Sequence, residues 1–271
     1  MSHAVADRSA GRRGAGRLSH GAEHKTRAHG ALAGQRFAHR GLHSASRDLV
    51  ENTLPAFEAA CRKGYGIELD IQFTADGQAV VFHDDNLSRL TGDPRPVREV
   101  TLAELRNMPL AGVEDARVPT LRETLAAVGG RVPLLIELKS GRRNAELCRA
   151  LMEHLRDYPG EYMVESFNPL IVMWFRRNAP SVVRGQLVCG MDGYRGAVGA
   201  FPAFCMAFLL FNALSRPDFV AYDANDARFH TPRIQRALFR TPLAAWTVRT
   251  LPQAKLAAER DEICIFEQIR P

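Results

Sequence analysis

Two carboxylates whose spacing suits them to bind one metal ion stand in a stretch of twenty residues, Gly66 to Asp85, that also carries a histidine. Glu68 and Asp70 alternate with apolar residues in the run from Gly66 to Phe73, and a strand points alternate side chains to the same face. Their Cβ atoms would lie about 6.5–7 Å apart. Two carboxylates that close cannot both stay ionised in a dry pocket without a counter-charge. This pair therefore predicts a bound cation.

His83 is carried back towards the two carboxylates by a turn. Residues 74–77 read Thr-Ala-Asp-Gly, and the apolar run 79–82 that follows ends at His83 and Asp84. A parallel crossover needs a dozen or more residues, so this short link predicts an antiparallel hairpin.

Further groups that suit phosphate chemistry stand at or near the ends of other predicted strands. The candidates are His39, Arg40, Glu137, Lys139 and Trp246. Glu68, Asp70 and Glu137 form an oxygen-ligand set with no cysteine beside it, which favours Ca²⁺ or Mg²⁺ over zinc. Arg40 and Lys139 can bind the oxygens of an anion, and two histidines can divide proton acceptance and donation. Together these groups predict hydrolysis of a phosphate ester.

Each of these motifs alone is more often structural, since charged pairs on strands usually face solvent. The apolar flanks argue otherwise, because Val132 to Lys139 reads VPLLIELK and such a run is typical of a strand buried on both faces. Charges in that setting need partners.

The elements that must position these groups repeat as strand, loop and helix. Capping boxes at Thr101 and Thr120, the cap Asn168-Pro169 and the stop at Gly129 mark helix boundaries. Eight strands are predicted, beginning at Arg36, Gly66, Val132, Tyr162, Val182, Asp218, Leu243 and Glu262. This number predicts an α/β fold, a (β/α)8 TIM barrel, with the hairpin as a small insertion after the second strand. A doubly wound sheet is the alternative, but no Gly-x-Gly-x-x-Gly follows the first strand.

Length and composition predict one large globular domain. The 271 residues are 46% hydrophobic and 24% charged, which suffices for a single core. Up to Arg36 there are seven basic and two acidic residues, whereas the remainder has 29 basic and 28 acidic residues. The net charge of +6 therefore lies mostly in the N-terminal tail and is weak evidence for a nucleic-acid surface.

That tail, residues 1–35, is rich in Gly, Ala, Arg, Ser and His, so we expect a disordered basic extension before a barrel over residues 36–271. It lacks the apolar run of a signal peptide and loosely resembles an organelle transit peptide; a solvated extension or an overlong gene start is the simpler interpretation. Five scattered cysteines predict reduced thiols in a cytoplasmic protein.

The segment from Phe201 to Leu214 is apolar around its whole circumference and, at 14 residues, too short to span a bilayer. The simpler interpretation is a buried barrel helix. The alternative is a helix that rests on lipid or on a partner.

Taken together, the motifs resemble the glycerophosphodiester phosphodiesterase family. The resemblance rests on His39-Arg40-Gly41, Glu51-Asn52-Thr53, Glu68-x-Asp70, His83-Asp84 and Glu137-x-Lys139 in that order, and it covers nearly all of residues 36–271. It implies a (β/α)8 barrel with a hairpin insertion that uses a divalent cation to release glycerol phosphate and an alcohol.

The resemblance also implies roles for these residues. Glu68, Asp70 and Glu137 would be metal ligands, His39 and His83 the acid/base pair, and Arg40 and Lys139 the phosphate holders. Glu51 and Asn52 would support the site, and Trp246 would lie beside the substrate. Two features depart from the family: nine residues separate Gly41 from Glu51, and the last strand lacks the frequent Thr-Asp near its end.

Three functions are compatible with these residues. The first is metal-dependent hydrolysis of glycerophosphodiesters such as glycerophosphocholine or glycerophosphoethanolamine. The second is a phospholipase D-like or lysophospholipase D-like hydrolase acting on a membrane lipid. The third is a barrel that only binds a phosphorylated ligand, against which the presence of both histidines and all three carboxylates argues.

Overall fold

The computed structural model describes residues 34–44, 46, 49–194, 199–226 and 231–271. Its strands in chain order are β1 (Arg36–Ala38), β2 (Gly66–Phe73), β3 (Ala79–Val81), β4 (Leu134–Leu138), β5 (Tyr162–Ser166), β6 (Val183–Val188), β7 (Phe219–Asp223), β8 (Leu243–Val248) and β9 (Ile263–Phe266). All except β3 pair in parallel, and β1 pairs with both β2 and β9, so the sheet closes on itself. The predicted eight-stranded barrel is confirmed within the described residues.

The hairpin insertion is also confirmed, because β3 pairs antiparallel with the end of β2, with Ile71 opposite Val81. β3 and the residues that follow it form a small subdomain with its own apolar cluster, which includes Val80, Phe82 and Leu105. This excursion holds His83 at the mouth of the barrel.

The helices described are α1 (Leu54–Lys63), α2 (Ser88–Thr91), α3 (Leu102–Leu105), α4 (Leu121–Val128), α5 (Asn144–His154), α6 (Pro169–Asn178), α7 (Met191–Tyr194), α8 (Ala200–Ala207), α9 (Asn212–Ser215), α10 (Thr231–Phe239) and α11 (Leu251–Glu259). Both predicted capping boxes are present, since Thr101 and Thr120 each accept from the backbone N–H three residues later. Asn168 caps α6 as predicted, and Gly129 ends α4 in the left-handed conformation.

The two faces of the strands pack against different neighbours. On β2, Ile67, Leu69 and Ile71 belong to the main core between the sheet and the helices. The alternate residues point into the barrel, where Phe37, Leu135 and Phe219 belong to a second apolar cluster. Period-two alternation therefore places Glu68 and Asp70 inside the barrel.

The simpler interpretation of the segment 201–214 is wrong. It is not one buried helix: α8 and α9 are separate and Leu209 between them has a φ of +56°. Ala203, Ala207 and Leu209 face the protein, whereas large side chains such as Phe201 and Leu214 face outwards. Uniform apolarity misled the prediction because it gives no indication of which face packs inwards.

Nearly all of the predicted extension at residues 1–35 lies outside the described residues, so its disorder stays a prediction. Gln35 already belongs to the fold, because its carbonyl accepts from the backbone N–H of Cys264.

The described helices include none long and apolar enough to cross a membrane.

Gly66 gives a direct test of interior packing. A Cβ at this position would lie 2.6 Å from Cδ1 of Phe37. The ring of Phe37 is fully buried, so it cannot move aside without displacing other core side chains. We expect Gly66→Ala to lower the free energy of unfolding by about 1–3 kcal/mol. Gly141→Ala is the control, since no atom would lie within 4 Å of its Cβ. Urea unfolding checks both; equal stability of the two variants would contradict the packing described.

Candidate active site

Three buried carboxylates meet at the carboxyl ends of β2 and β4. Asp70 and Glu137 are opposite each other in the register of these strands, and Glu68 precedes Asp70 on the same face. One oxygen from each lies within 4.8 Å of the others. A hard divalent cation prefers such a set of carboxylate oxygens, so the residues fit Ca²⁺ or Mg²⁺.

The crowding of these carboxylates shows in their pKa values. Burial and the neighbouring charges of Asp70, Glu165 and Glu137 raise the pKa of Glu68 well above its ordinary value. Burial would also raise the pKa of Asp70, but the nearby Lys139, His83 and Arg40 outweigh it and lower that pKa. The nearby cations therefore stabilise the charge of Asp70 but leave the charge of Glu68 opposed by its acidic neighbours.

Two cationic side chains border the carboxylates. The Lys139 ammonium lies 2.9 Å from Glu137 and 3.5 Å from Asp70. Arg40 donates its backbone N–H to Glu68 at 2.8 Å and a guanidinium N–H to Glu51 at 2.7 Å. Its Nε lies 3.8 Å from Asp70. In this arrangement both predicted phosphate holders are counter-charges of the acidic cluster.

His39 follows β1 and lies beside the same cluster. Its backbone N–H donates to the Phe266 carbonyl at 2.8 Å, which fixes the residue against β9. Its Nε2 lies 3.9 Å from Glu68 and its Nδ1 lies 3.8 Å from Glu267. Burial lowers the pKa of His39 to about 4, despite the opposing effect of Glu267. A neutral imidazole of this kind can accept a proton at neutral pH.

His83 enters the site from the hairpin insertion. Its Nδ1 lies 2.7 Å from the Asp84 carboxylate, and Gln72 anchors the loop by donating to the carbonyls of Phe82 and Asp84. Asp84 in turn accepts from Nε of Arg89 at 2.6 Å. The contact of Nδ1 with Asp84 thereby orients the His83 ring, which lines the cavity, and leaves Nε2 available there.

Glu51 and Asn52 connect the first loop to the site. Asn52 donates from its side-chain amide to Asp70 at 2.9 Å, and its backbone N–H donates to the Arg40 carbonyl. Glu51 accepts from Arg40 and from both terminal nitrogens of Arg89. Glu51 and Asn52 are therefore placed as predicted for supporting residues, although their role stays a proposal.

A cavity adjoins these groups. A cavity of about 310 Å³ is lined by His39, Arg40, Glu68, His83, Glu137, Glu165, Phe167, Leu187, Asp223, Asn225, Trp246, Thr247, Arg249 and Ile265. Trp246 stacks edge-on against Phe167, with ring centroids 5.7 Å apart. Its Nε1 is buried without a partner among the described residues. Trp246 and Phe167 thus form an apolar part of the cavity wall, consistent with the predicted position of Trp246 beside a small ligand.

Three site residues were missed by reasoning from the sequence. Glu165 in β5 is a fourth buried carboxylate opposite Glu137, and its position in the run YMVES carries the signal that identified Glu137. Glu267 follows β9 and faces His39, His43 and Arg249. Arg89 comes from the hairpin subdomain, and no local pattern could reveal its contact with Glu51, 38 residues away.

The chain is similar to known proteins along most of its length. A model of the Glycerophosphoryl diester phosphodiesterase family matches residues 39–266. A glycerophosphodiester phosphodiesterase of Caldanaerobacter subterraneus subsp. tengcongensis is 34% identical over 168 residues, which cover 57% of this chain and 67% of that protein. The human glycerophosphodiester phosphodiesterase 1 is 32% identical over 158 residues, covering 54% and 46%. The alignments span about half to two thirds of these relatives.

Solved structures resemble the fold. A phosphodiesterase of Oleispira antarctica, in complex with the product sn-glycerol-3-phosphate, has a TM-score of 0.70 at 23% identity, covering 89% of this chain and 95% of that one. A glycerophosphodiester phosphodiesterase of Thermotoga maritima has a TM-score of 0.64 at 23% identity, covering 86% and 93%. Both support the barrel architecture.

The contacts of Glu51 predict a pH dependence of stability. Burial would raise the pKa of Glu51, but the hydrogen bonds and charges of Arg89 and Arg40 outweigh it and lower the pKa from 4.5 to about 2. A lowered folded-state pKa adds stability above the unfolded-state value, and this contribution is lost as pH falls from about 4.5 to about 2.

We therefore expect Glu51→Gln to lower the free energy of unfolding by about 3 kcal/mol at pH 7 and by much less near pH 2.5. Urea unfolding of both proteins across this range gives the difference at each pH. A difference that is the same at pH 7 and pH 2.5 would contradict the assignment.

Proposed function

The chain belongs to the glycerophosphoryl diester phosphodiesterase family, and on this premise we propose that it hydrolyses glycerophosphodiesters to glycerol 3-phosphate and an alcohol. We further propose that a divalent cation, Ca²⁺ or Mg²⁺, is held by Glu68, Asp70 and Glu137. The observation that carries the proposal is the meeting of these three carboxylates with His39 and His83 around one cavity.

The proposed cation would act as a Lewis acid on the phosphate and lower the charge that develops on its oxygens. Three carboxylates supply the oxygen ligands that such an ion needs, and Asn52 fixes the orientation of Asp70. Arg40 and Lys139 are proposed to hold the remaining phosphate oxygens. Nε of Arg40 lies 3.8 Å from Asp70, and the Lys139 ammonium lies 3.5 Å from it.

His39 is proposed as the proton acceptor. Its side chain is only 12% exposed and its pKa is lowered to about 4, so its imidazole is neutral at pH 7 and can take a proton from the attacking oxygen. That oxygen belongs to water, which gives glycerol 3-phosphate directly, or to the glycerol hydroxyl of the substrate, which gives a cyclic phosphate that water then opens to glycerol 3-phosphate.

His83 is proposed as the proton donor to the departing alcohol. It stands on the hairpin, on a different element from His39, and Asp84 orients its ring. In-line displacement at phosphorus needs an acceptor and a donor on opposite sides, and two separate elements can provide that placement.

The cavity and the family match favour a small diester over the two alternatives. Glycerophosphocholine and glycerophosphoethanolamine are the proposed substrates. A lysophospholipase D-like action on a membrane lipid is the second enzyme candidate, and the complete set of histidines and carboxylates argues against a barrel that only binds a phosphorylated ligand.

The five cysteines are all free, as predicted for reduced thiols. The cytoplasmic location stays a prediction.

Removing one metal ligand tests the acidic cluster. We expect Asp70→Asn to weaken Mg²⁺ or Ca²⁺ binding at least roughly 100-fold, because the buried ion loses a charged ligand. Isothermal titration calorimetry measures the affinity, and circular dichroism confirms that the fold persists. Asp85→Asn, an exposed aspartate on the same hairpin, should bind the ion as the wild type does. Unchanged affinity in Asp70→Asn would place the ion elsewhere.

The two histidines are tested by changing the leaving group. His39→Ala and His83→Ala should each lower kcat by on the order of 10² to 10⁴, and the double variant should lose far less than the product, since both groups serve one step. A nitrophenyl ester needs little protonation of its leaving alcohol, so it should rescue His83→Ala but not His39→Ala.

The rate profile against pH gives an independent readout of the same pair. The wild type should show a bell-shaped profile and each single variant should lose one limb. If the nitrophenyl ester rescues neither variant, the division of roles is wrong. Rescue of His39→Ala instead would reverse the two roles.

A further inference from the structure

One flank of the barrel presents large apolar side chains to solvent. On α8, α9 and the link between them these are Phe201, Phe204, Phe208, Leu210 and Leu214. Phe201 is 76% exposed and Leu214 is 59% exposed. Phe204 and Phe208 stack with ring centroids 4.5 Å apart, so they form a continuous apolar surface. Such side chains at this density are unusual on a surface that meets only water.

The surface continues onto α10. Ile234, Leu238 and Phe239 are exposed there, Leu238 to 69%. A groove of about 550 Å³ joins the two parts, with Leu209, Leu210 and Arg216 on one side and Gln235 and Phe239 on the other. The neighbouring α6 is in contact as well, since Arg176 donates to the Leu214 carbonyl. We call the outward face of α8, α9 and α10 the apolar flank.

The charged residues within the segments that form the apolar flank are all basic. The carboxylates next to these segments include Asp218, which pairs with Arg184, and Glu262, which pairs with Arg236. Residues 169–183, 199–217 and 231–242, which form it and border it, contain no aspartate or glutamate. They contain six arginines, namely Arg176, Arg177, Arg216, Arg233, Arg236 and Arg240. Acidic residues make up about a ninth of the chain, so their absence from 46 residues is a marked bias. Arg216, Arg233 and Arg240 are exposed.

This combination of positive charge and apolar area favours a lipid bilayer over a second copy of the chain as the partner of the apolar flank. A second copy of the chain would oppose the same arginines across a two-fold axis, and these three segments supply no aspartate or glutamate to pair with them. The surface of a bilayer that contains anionic lipids offers phosphates to the arginines and an acyl boundary to the aromatic rings. Helix α10 has the composition of an interfacial amphipathic helix, with arginines beside exposed leucine and phenylalanine.

We propose that the apolar flank binds the headgroup region of an anionic phospholipid bilayer. Phe201, Phe208 and Leu238 insert at the acyl boundary, and Arg233 and Arg240 contact lipid phosphates. The protein is then peripheral to the membrane. This proposal does not depend on the proposed hydrolysis, since none of these side chains lines the cavity of the candidate active site.

Vesicle flotation with the full chain tests the proposal. Binding should be strong to vesicles of phosphatidylcholine with phosphatidylglycerol, weak to phosphatidylcholine alone, and reduced by salt. The double variant Phe201→Ser with Leu238→Ser should bind at least tenfold more weakly, because two large apolar side chains are removed. Its matched control is Leu251→Ser with Leu256→Ser on α11, where Leu251 is 60% exposed; this control should bind as the wild type does.

The arginines are tested in the same assay. Arg233→Gln with Arg240→Gln should weaken binding to anionic vesicles on the order of tenfold, whereas Lys63→Gln with Arg122→Gln, an equal loss of charge at exposed positions elsewhere, should not. Thermal melts verify that each variant folds, and glycerophosphodiester hydrolysis in solution should be unchanged in all of them.

Three outcomes would overturn the proposal. The first is a folded wild type that does not bind anionic vesicles. The second is binding that all flank variants retain, which would place the contact elsewhere, for example on the basic N-terminal segment. The third is a dimer in analytical ultracentrifugation that the flank variants dissociate, with no vesicle binding, which would make a second copy the occupant.

Discussion

The mutual repulsion of buried carboxylates at the mouth of the barrel is the constraint on which the site depends. Glu68, Asp70 and Glu137 bring oxygens within 4.8 Å of one another, and Glu165 adds a fourth carboxyl group opposite Glu137. Charges this close in a buried site are tolerated only where cations or protons offset them. The raised pKa of Glu68, caused by burial and by its acidic neighbours, is a direct consequence.

The surrounding loops supply the opposing charge and hold it in place. Arg40 comes from the first loop and Lys139 from the end of β4, while Arg89 joins Asp84 of the hairpin to Glu51. The ion pairs of Arg40 and Lys139 are largely buried, and the more exposed Arg89 shares Glu51 with Arg40. Pairs that share partners fix the chain segments relative to one another more firmly than isolated surface pairs would. The same network orients His83, which ties the geometry of the hairpin to the proposed chemistry.

Much of this could be predicted from the sequence, for a physical reason. Strand alternation, capping boxes and carboxylates within apolar runs are local patterns, and they located the barrel, the hairpin and the acidic cluster. Glu267 and Arg89 act through contacts between distant segments, which no local pattern encodes. The prediction for the segment 201–214 was wrong for a different reason. Its sequence has no polar face, so it could not indicate which side chains pack inwards and which, like Phe201, face outwards.

We propose that the acidic cluster makes this barrel a cation-dependent phosphodiesterase. The most direct test is the release of glycerol 3-phosphate by the purified protein from glycerophosphocholine and glycerophosphoethanolamine, before chelation, after it, and after Mg²⁺ or Ca²⁺ is restored. We expect release that chelation abolishes and one of these ions restores. Full release after exhaustive chelation, or no release from either diester with either ion, would contradict this proposal.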